Sequence, residues 1–97
     1  MVNNPVGGFS ISKDNSYRGE CARYQRLMKK ILNTELKIVG YPSRNGLLHE
    51  PLSNRCKGLL HARVDQNMRI LYLPDYKNKI VFLKRLLPHR EMEKMCN

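Results

Sequence analysis

Two very short connections in the C-terminal half most constrain the fold of this chain. Three β-rich apolar runs, 59–64, 68–73 and 79–87, are separated only by residues 65–67 and 74–78, which carry turn-forming Asp, Asn and Pro. Parallel neighbours in a sheet need a crossover of a dozen or more residues, so strands joined this closely must pair antiparallel. The sequence therefore predicts a three-stranded antiparallel meander.

The N-terminal half has a different hydrophobic period. Its apolar residues recur at intervals of three and four, at Tyr17, Cys21, Tyr24, Met28 and Ile31. This spacing predicts one amphipathic helix, beginning near residue 16 and ending between residues 33 and 39, before Gly40 and Pro42. The opposite helix face is basic, at Arg18, Arg23, Arg26, Lys29 and Lys30. Most such faces are simply solvated.

These elements predict an α+β fold in a single domain. Residues 1–8 contain Asn-Asn-Pro and Gly-Gly and are expected to form a flexible lead-in, which leaves residues 9–97 as one domain. Phe9 to Ser12 alternates apolar and polar residues, as a short N-terminal edge strand would. The predicted architecture is a small antiparallel sheet with one long amphipathic helix on one face, closed by a short helix over 90–96.

Strand alternation predicts which side chains face the helix. We expect a core that joins the strands to the helix and contains Leu60, Val64, Ile80, Phe82, Met28 and Ile31. His61 and Arg63 then lie on the opposite face of the sheet. Because one helix covers only one face, this second face is expected to be open and basic.

The net charge indicates a polyanionic partner. The chain has 18 Lys and Arg against 8 Asp and Glu, a net charge of +10, and nine basic but only two acidic residues lie between 51 and 90. Nucleic acid, a membrane surface or an acidic protein would suit this excess, and a merely basic surface is the alternative. No apolar run approaches a membrane span, and the first residues do not resemble a secretory signal, so a cytoplasmic protein without a membrane partner is expected.

The cysteines and histidines predict neither disulfides nor metal. Cys21, Cys56 and Cys96 are odd in number and lack C-x-x-C spacing, so we expect free, mostly buried thiols. The histidines, at positions 49, 61 and 89, show no short ligand spacing. No metal and no cofactor are therefore expected.

Acid–base chemistry on a phosphodiester is one possibility that the residues leave open. Such cleavage needs a base, an acid, and cations for the charge that develops on phosphorus. Glu50 precedes the first strand of the meander and His89 follows the last, so both could reach one rim of the basic face. Arg69 stands mid-strand between Met68 and Ile70, which is unusual unless its head group reaches a ligand, a partner or solvent at a sheet edge.

The order and spacing of several motifs resemble the RelE/ParE toxin superfamily, most closely its YoeB/YafQ-like branch. The matching segments, spread over about 43 residues, are His49-Glu50-Pro51-Leu52, Lys57-Gly58-Leu59, Arg63-Val64, Arg69-Ile70-Leu71-Tyr72 and Pro88-His89-Arg90. The resemblance implies a RelE-like fold and a toxin-type endoribonuclease, an mRNA interferase acting on mRNA at the ribosome and held inactive by a cognate antitoxin. The alternative is a non-catalytic member of the same fold, such as a ParE-like gyrase inhibitor or a degenerate toxin. The family has two helices after its first strand, where the spacing here predicts one.

Position by position, the resemblance implies roles for individual residues. Glu50 corresponds to the general base, Arg69 to the arginine that neutralises the scissile phosphate, and His89 to the general acid. Arg63 and Arg90 correspond to further basic residues of the site. From the basic second face and its surroundings we add further candidate RNA or phosphate contacts, namely His61, Lys57, Arg55 and Lys84.

Overall fold

The helical segment that was predicted as one helix is divided into two. The computed structural model describes residues 9–40 and 54–96, so the predicted lead-in lies outside the described residues. Helix α1 spans Asn15–Arg23, a 3₁₀ turn spans Gln25–Leu27, and helix α2 spans Met28–Gly40. The backbone leaves helical geometry at Tyr24, with φ −108° and ψ 42°. The apolar residues of both helices pack against the same core. The break at Tyr24 therefore does not interrupt the spacing of three and four residues between them.

Neither of these helices has the dimensions of a membrane span. The longer one, α2, has 13 residues, whereas a transmembrane helix needs about 20 apolar residues. No helix in the described part of the chain is long and apolar enough to cross a bilayer.

The sheet has four strands in the order β1-β4-β3-β2. The strands are β1 (Ser10–Lys13), β2 (Leu60–Arg63), β3 (Met68–Asp75) and β4 (Ile80–Pro88). Strands β2, β3 and β4 form the predicted antiparallel meander, and β1 is the predicted edge strand. It pairs in parallel with β4, so the sheet is mixed. The parallel pairing is possible because both helices, β2 and β3 lie between β1 and β4 in the chain.

A β-bulge in β4 decides which of its residues enter the core. Tyr72 pairs with Leu83 and Leu71 with Arg85, so Lys84 is the extra residue of the bulge. Val81 and Leu83 are fully buried in the core shared with the helices, whereas Phe82 is half-buried and lies outside it. The prediction that Ile80, Phe82 and Met28 belong to this core was therefore wrong, whereas Ile31, Leu60 and Val64 do contribute to it. Residues 80–83 are all apolar, so alternation within β4 could not choose between the two faces.

The two faces of the sheet bury separate clusters. On one face, α1 and α2 pack their buried residues against Ile70 and Tyr72 of β3. On the other face, helix α3 (His89–Cys96) packs Met92 and Cys96 against Leu71 and Leu87. We call this second surface the α3 face. The expectation that it is open was wrong in part, because the short closing helix folds back over it.

A disulfide joins Cys56 to Cys96, with their Cα atoms 5.0 Å apart. The prediction that all thiols are free is therefore wrong for this pair and holds only for Cys21. The two residues are 40 positions apart in sequence, so no local spacing reveals the bond. They meet because α3 returns across the sheet to the 3₁₀ turn Asn54–Cys56.

A buried polar cluster ties β1, α1 and α2 together. The Tyr17 hydroxyl donates a hydrogen bond of 2.5 Å to Glu35, and the Lys13 ammonium lies 3.5 Å from the same carboxylate. Glu35 is only 5% exposed, so its charge depends on these partners. The cluster thereby fixes the two helices against the edge of the sheet.

Candidate active site

Two arginines face each other across neighbouring strands at one end of the sheet. Arg63 of β2 pairs with Arg69 of β3, and Arg69 pairs in turn with Leu87 of β4. Directly opposed residues share one face of the sheet. This row lies on the α3 face, because Leu87 and the neighbouring Leu71 belong to the α3 cluster. Two predicted cationic residues of the site are thus brought together.

Arg69 is an unusual arginine because it is both buried and without a carboxylate partner. Its residue is 7% exposed. Nη1 donates to the backbone carbonyls of Asp65 at 2.9 Å and Met68 at 3.1 Å. No carboxylate lies within ion-pair distance of its guanidinium in the described parts of the chain. Burial, and then the charge of Arg63, lower the pKa of Arg69, and Asp65 opposes them only in part. An anion bound beside Arg69 would offset both the burial of its guanidinium and the repulsion from Arg63.

The turn between β2 and β3 forms the floor of the site. The Asp65 carboxylate accepts hydrogen bonds from the N–H groups of Asn67 at 2.8 Å and Met68 at 2.7 Å. Burial acts to raise the pKa of Asp65, but these two N–H groups, with the charges of Lys30 and Arg69, hold it below its usual value. The carboxylate is therefore committed to shaping the turn, which leaves the arginine pair free to attract an external anion.

His89 meets the same turn from the other side. It is the first residue of α3, and its N–H donates to the Asn67 carbonyl at 2.6 Å. Nε2 of the ring lies 3.2 Å from a Glu93 oxygen, one helical turn further on. Nδ1 is buried and has no hydrogen-bond partner among residues 9–40 and 54–96. One short turn thus positions both the Arg69 guanidinium and the His89 backbone.

Arg90 completes a basic rim around this point. It is exposed and lines a depression of about 350 Å³ together with Asn67, Pro88 and Glu91. The arrangement offers guanidinium groups for a phosphate and an imidazole for proton transfer, which are the groups that phosphoryl chemistry requires.

The other residues predicted for the site do not all lie beside the arginine pair. His61 pairs with Leu71 in the row next to the arginine pair and lies on the α3 face. Lys84, the bulged residue, points to the start of α1, where its Nζ lies 3.2 Å from Asp14. Glu50 lies outside the described residues.

Arg55 and Lys57 lie near the opposite end of α3. Both are exposed and flank Cys56, which is bonded to the last residue of that helix. An eight-residue helix is about 12 Å long at about 1.5 Å per residue. These two cations are therefore separated from His89 by roughly that length, at the far end of the same face.

Two contacts of the site were not predicted from the sequence. Glu93 faces His89 across one helical turn, and the i, i+4 spacing of these two residues could have revealed it. Lys30 of α2 approaches Asp65 closely enough to lower its pKa, but it comes from a helix 35 positions away. Nothing in the local sequence links the two.

Comparison with known proteins places this geometry on a known fold. No family model matches the chain, and no curated protein matches it significantly. Among solved structures, YafQ from Escherichia coli BL21(DE3) superposes with a TM-score of 0.72 at 16% identity, over 87% of this chain and 97% of that one. A YoeB/ParE toxin from Agrobacterium tumefaciens gives 0.74 at 16% identity, over 84% and 99%. The toxin–antitoxin complex RelBE2 from Mycobacterium tuberculosis gives 0.73 at 19% identity, over 87% and 93%.

These matches span nearly the whole of each neighbour. At this level of identity they establish the fold. The fold implied by the resemblance in the sequence motifs is thus confirmed, and the chain has the α+β fold of the RelE, YoeB and YafQ toxins.

Proposed function

We propose that this chain is a toxin-type endoribonuclease that cleaves mRNA on the ribosome by acid–base catalysis. The observation that carries the proposal is the buried Arg69 guanidinium without a carboxylate partner, held by the turn that also anchors His89. A cation in such a place is costly unless an anion binds there. Scissile phosphate is the anion that the neighbouring imidazole makes chemically useful.

The proposed reaction is an attack of the ribose 2′-hydroxyl on the adjacent phosphorus. Glu50 accepts the 2′-hydroxyl proton as the P–O2′ bond forms. Arg69, assisted by Arg63, stabilises the negative charge that grows on the nonbridging oxygens. The P–O5′ bond breaks as His89 protonates the leaving 5′-oxygen. The products are a 2′,3′-cyclic phosphate and a free 5′-hydroxyl, and no external oxidant or co-reactant is needed.

Release of the His89 contact with Glu93 is part of this proposal. In the structure Nε2 is engaged by Glu93 and Nδ1 is buried. Glu93 is exposed, with 58% of its side chain accessible, so the approach of a substrate can displace it at small cost. The backbone of His89 is meanwhile held in place by the hydrogen bond from its N–H to the Asn67 carbonyl.

A cognate antitoxin is the proposed protein partner. The M. tuberculosis neighbour is a toxin–antitoxin complex, and the net charge of +10 favours a partner of opposite sign. An acidic or amphipathic segment that covers the rim formed by Arg63, Arg69 and Arg90 would exclude RNA from it.

The test is single-turnover cleavage of mRNA on translating ribosomes at saturating protein. Arg69→Ala should reduce the rate by about 100-fold or more, because the guanidinium contributes most when charge develops on phosphorus. His89→Gln should reduce it by about 10²–10⁴-fold with little change in RNA affinity. Glu50→Gln should also slow the reaction. Lys77→Ala, an exposed cation in the β3–β4 turn, serves as the control and should cleave at the wild-type rate.

A second candidate function is binding without catalysis. It is favoured by the internal hydrogen bonds of the site, since Arg69 already donates to two carbonyls and His89 contacts Glu93. In that case the basic rim binds nucleic acid or a protein target such as gyrase. No cleavage above background by the wild-type protein, together with binding that weakens in Arg69→Ala and His89→Gln, would establish this alternative.

A further inference from the structure

The junction between α1 and α2 contains a second candidate site. A depression of about 460 Å³ lies there, lined by Arg23, Tyr24, Arg26 and Leu27. It exists because the chain leaves helical geometry at Tyr24 and tightens into the 3₁₀ turn. The site is on the layer of α1 and α2, whereas the arginine pair and His89 belong to the α3 face. It is therefore not part of the candidate active site.

The side chains of this depression combine free charge with a fixed aromatic ring. Arg23 and Arg26 are exposed, and neither guanidinium has an ion pair or a hydrogen bond within the described residues. Tyr24 and Leu27 are half-buried because they pack against the main core. The Tyr24 ring is thus held in place on one side while it lines the depression on the other.

The segment of the chain that forms this junction, residues 15–30, is strongly basic. Between residues 15 and 30 there are five basic residues and one acidic residue, Glu20. Glu20 is already neutralised, since Arg85 lies 2.7 Å from its carboxylate and the Leu86 N–H donates to it at 2.8 Å. Within residues 15–30, an anion that enters the depression therefore meets uncompensated positive charge and no unpaired carboxylate.

The geometry points to a binding site for single-stranded RNA at this junction, in which a base stacks on Tyr24 and the flanking phosphates contact Arg23 and Arg26. Stacking platforms beside unpaired cations are the general solution for binding single strands without reading sequence. An acidic peptide would use the two arginines but would leave the aromatic ring without a role. The site contributes affinity rather than chemistry, so it does not depend on the proposed cleavage reaction.

The experiment uses a fluorescein-labelled single-stranded 2′-O-methyl oligoribonucleotide, which has no free 2′-hydroxyl and cannot be cleaved. Fluorescence anisotropy gives its Kd for the full-length protein. Tyr24→Leu should weaken binding by roughly 5- to 150-fold, the range that stacking on one base corresponds to. Tyr24→Phe keeps the ring and should bind as the wild type does.

The arginines are tested separately, through the salt dependence. The double variant Arg23→Ala/Arg26→Ala should bind more weakly and should lower the log–log salt slope by about 1.4, at about 0.7 per lost phosphate contact on a single strand. The control Arg18→Ala/Lys77→Ala removes the same charge elsewhere, from the start of α1 and the β3–β4 turn. Both arginines of the pocket are exposed, so the double variant remains informative even if Tyr24→Leu lowers the melting temperature.

Three results would overturn the inference. The first is wild-type affinity for the oligonucleotide in the Arg23/Arg26 double variant. The second is an equal loss of affinity in the charge-matched control, which would indicate that binding depends on general surface charge. The third is tighter binding of a fluorescent polyglutamate peptide than of the oligonucleotide, with the same dependence on Arg23 and Arg26, which would make the site a protein interface. Failure of the cleavage proposal would leave all three measurements unaffected, because the probe cannot react.

Discussion

The Cys56–Cys96 disulfide should supply a large fraction of the stability of this small domain. The bond ties the last residue of α3 to the 3₁₀ turn before β2, and both sulfurs lie in the cluster that covers the α3 face. Reduction leaves the folded contacts of this cluster in place but removes a cross-link from the unfolded chain. Its cost can therefore be estimated from the size of the closed loop.

The loop-closure relation gives the expected magnitude. For a sequence separation of 40 residues, the entropy removed from the unfolded chain is about 13 cal/mol/K, or about 4 kcal/mol at 25 °C. Typical domains are stable by only about 5–15 kcal/mol. Loss of the bond should therefore move the protein a substantial part of the way toward unfolding.

Urea unfolding of the wild-type protein, with and without dithiothreitol, measures this difference by linear extrapolation. We expect a loss of about 4 kcal/mol on reduction. Cys96→Ala should be insensitive to the reductant, whereas Cys21→Ala, which changes the free thiol, should respond as the wild type does. A loss below about 1 kcal/mol in the wild type would refute the reasoning, because the bond would then constrain neither the unfolded chain nor α3.

Three further predictions follow from the charges and the packing of the described residues. RNA binding should weaken with salt at a log–log slope of about −2 if three guanidinium–phosphate contacts form on a single strand, and a flat dependence would contradict the role of the basic rim. Leu83→Ala should lower the free energy of unfolding in urea melts by about 2–5 kcal/mol, because Leu83 is fully buried, and Phe82→Ala should lower it less. The reverse order would show that the β4 side chains are assigned to the wrong faces of the sheet. Asp65 has a pKa held below its usual value in the folded protein, so the stability it contributes is present above its unfolded pKa and is lost as the pH falls through its folded pKa. Asp65→Asn should therefore flatten the acid side of the stability profile, and an unchanged profile would show that the turn does not depend on the carboxylate.

Most of the fold was predictable because it depends on local pattern. The meander follows from turns too short for a crossover, and β1 and α3 follow from brief but clear patterns in residues 9–12 and 90–96. The helix break at Tyr24 was not predictable, because both halves bury the same stripe and the period continues through it. The row of paired strand residues in the candidate site, which contains Arg63 and Arg69, was partly predictable, since alternation places His61 and Arg63 on one face. The partner of Arg63 depends on register, which alternation alone does not fix.

What the sequence by itself determined is the class of fold, the excess of positive charge and the residue types of the candidate site. Only the tertiary structure decided how these residues are used. The bulge at Lys84 sets which residues of β4 enter the core, and the return of α3 joins Cys56 to Cys96 and carries His89 to the turn that holds Arg69. The physical reason is separation along the chain. Contacts between residues 20 to 40 positions apart are fixed by the packing of whole elements against one another, and no short window of sequence contains both partners.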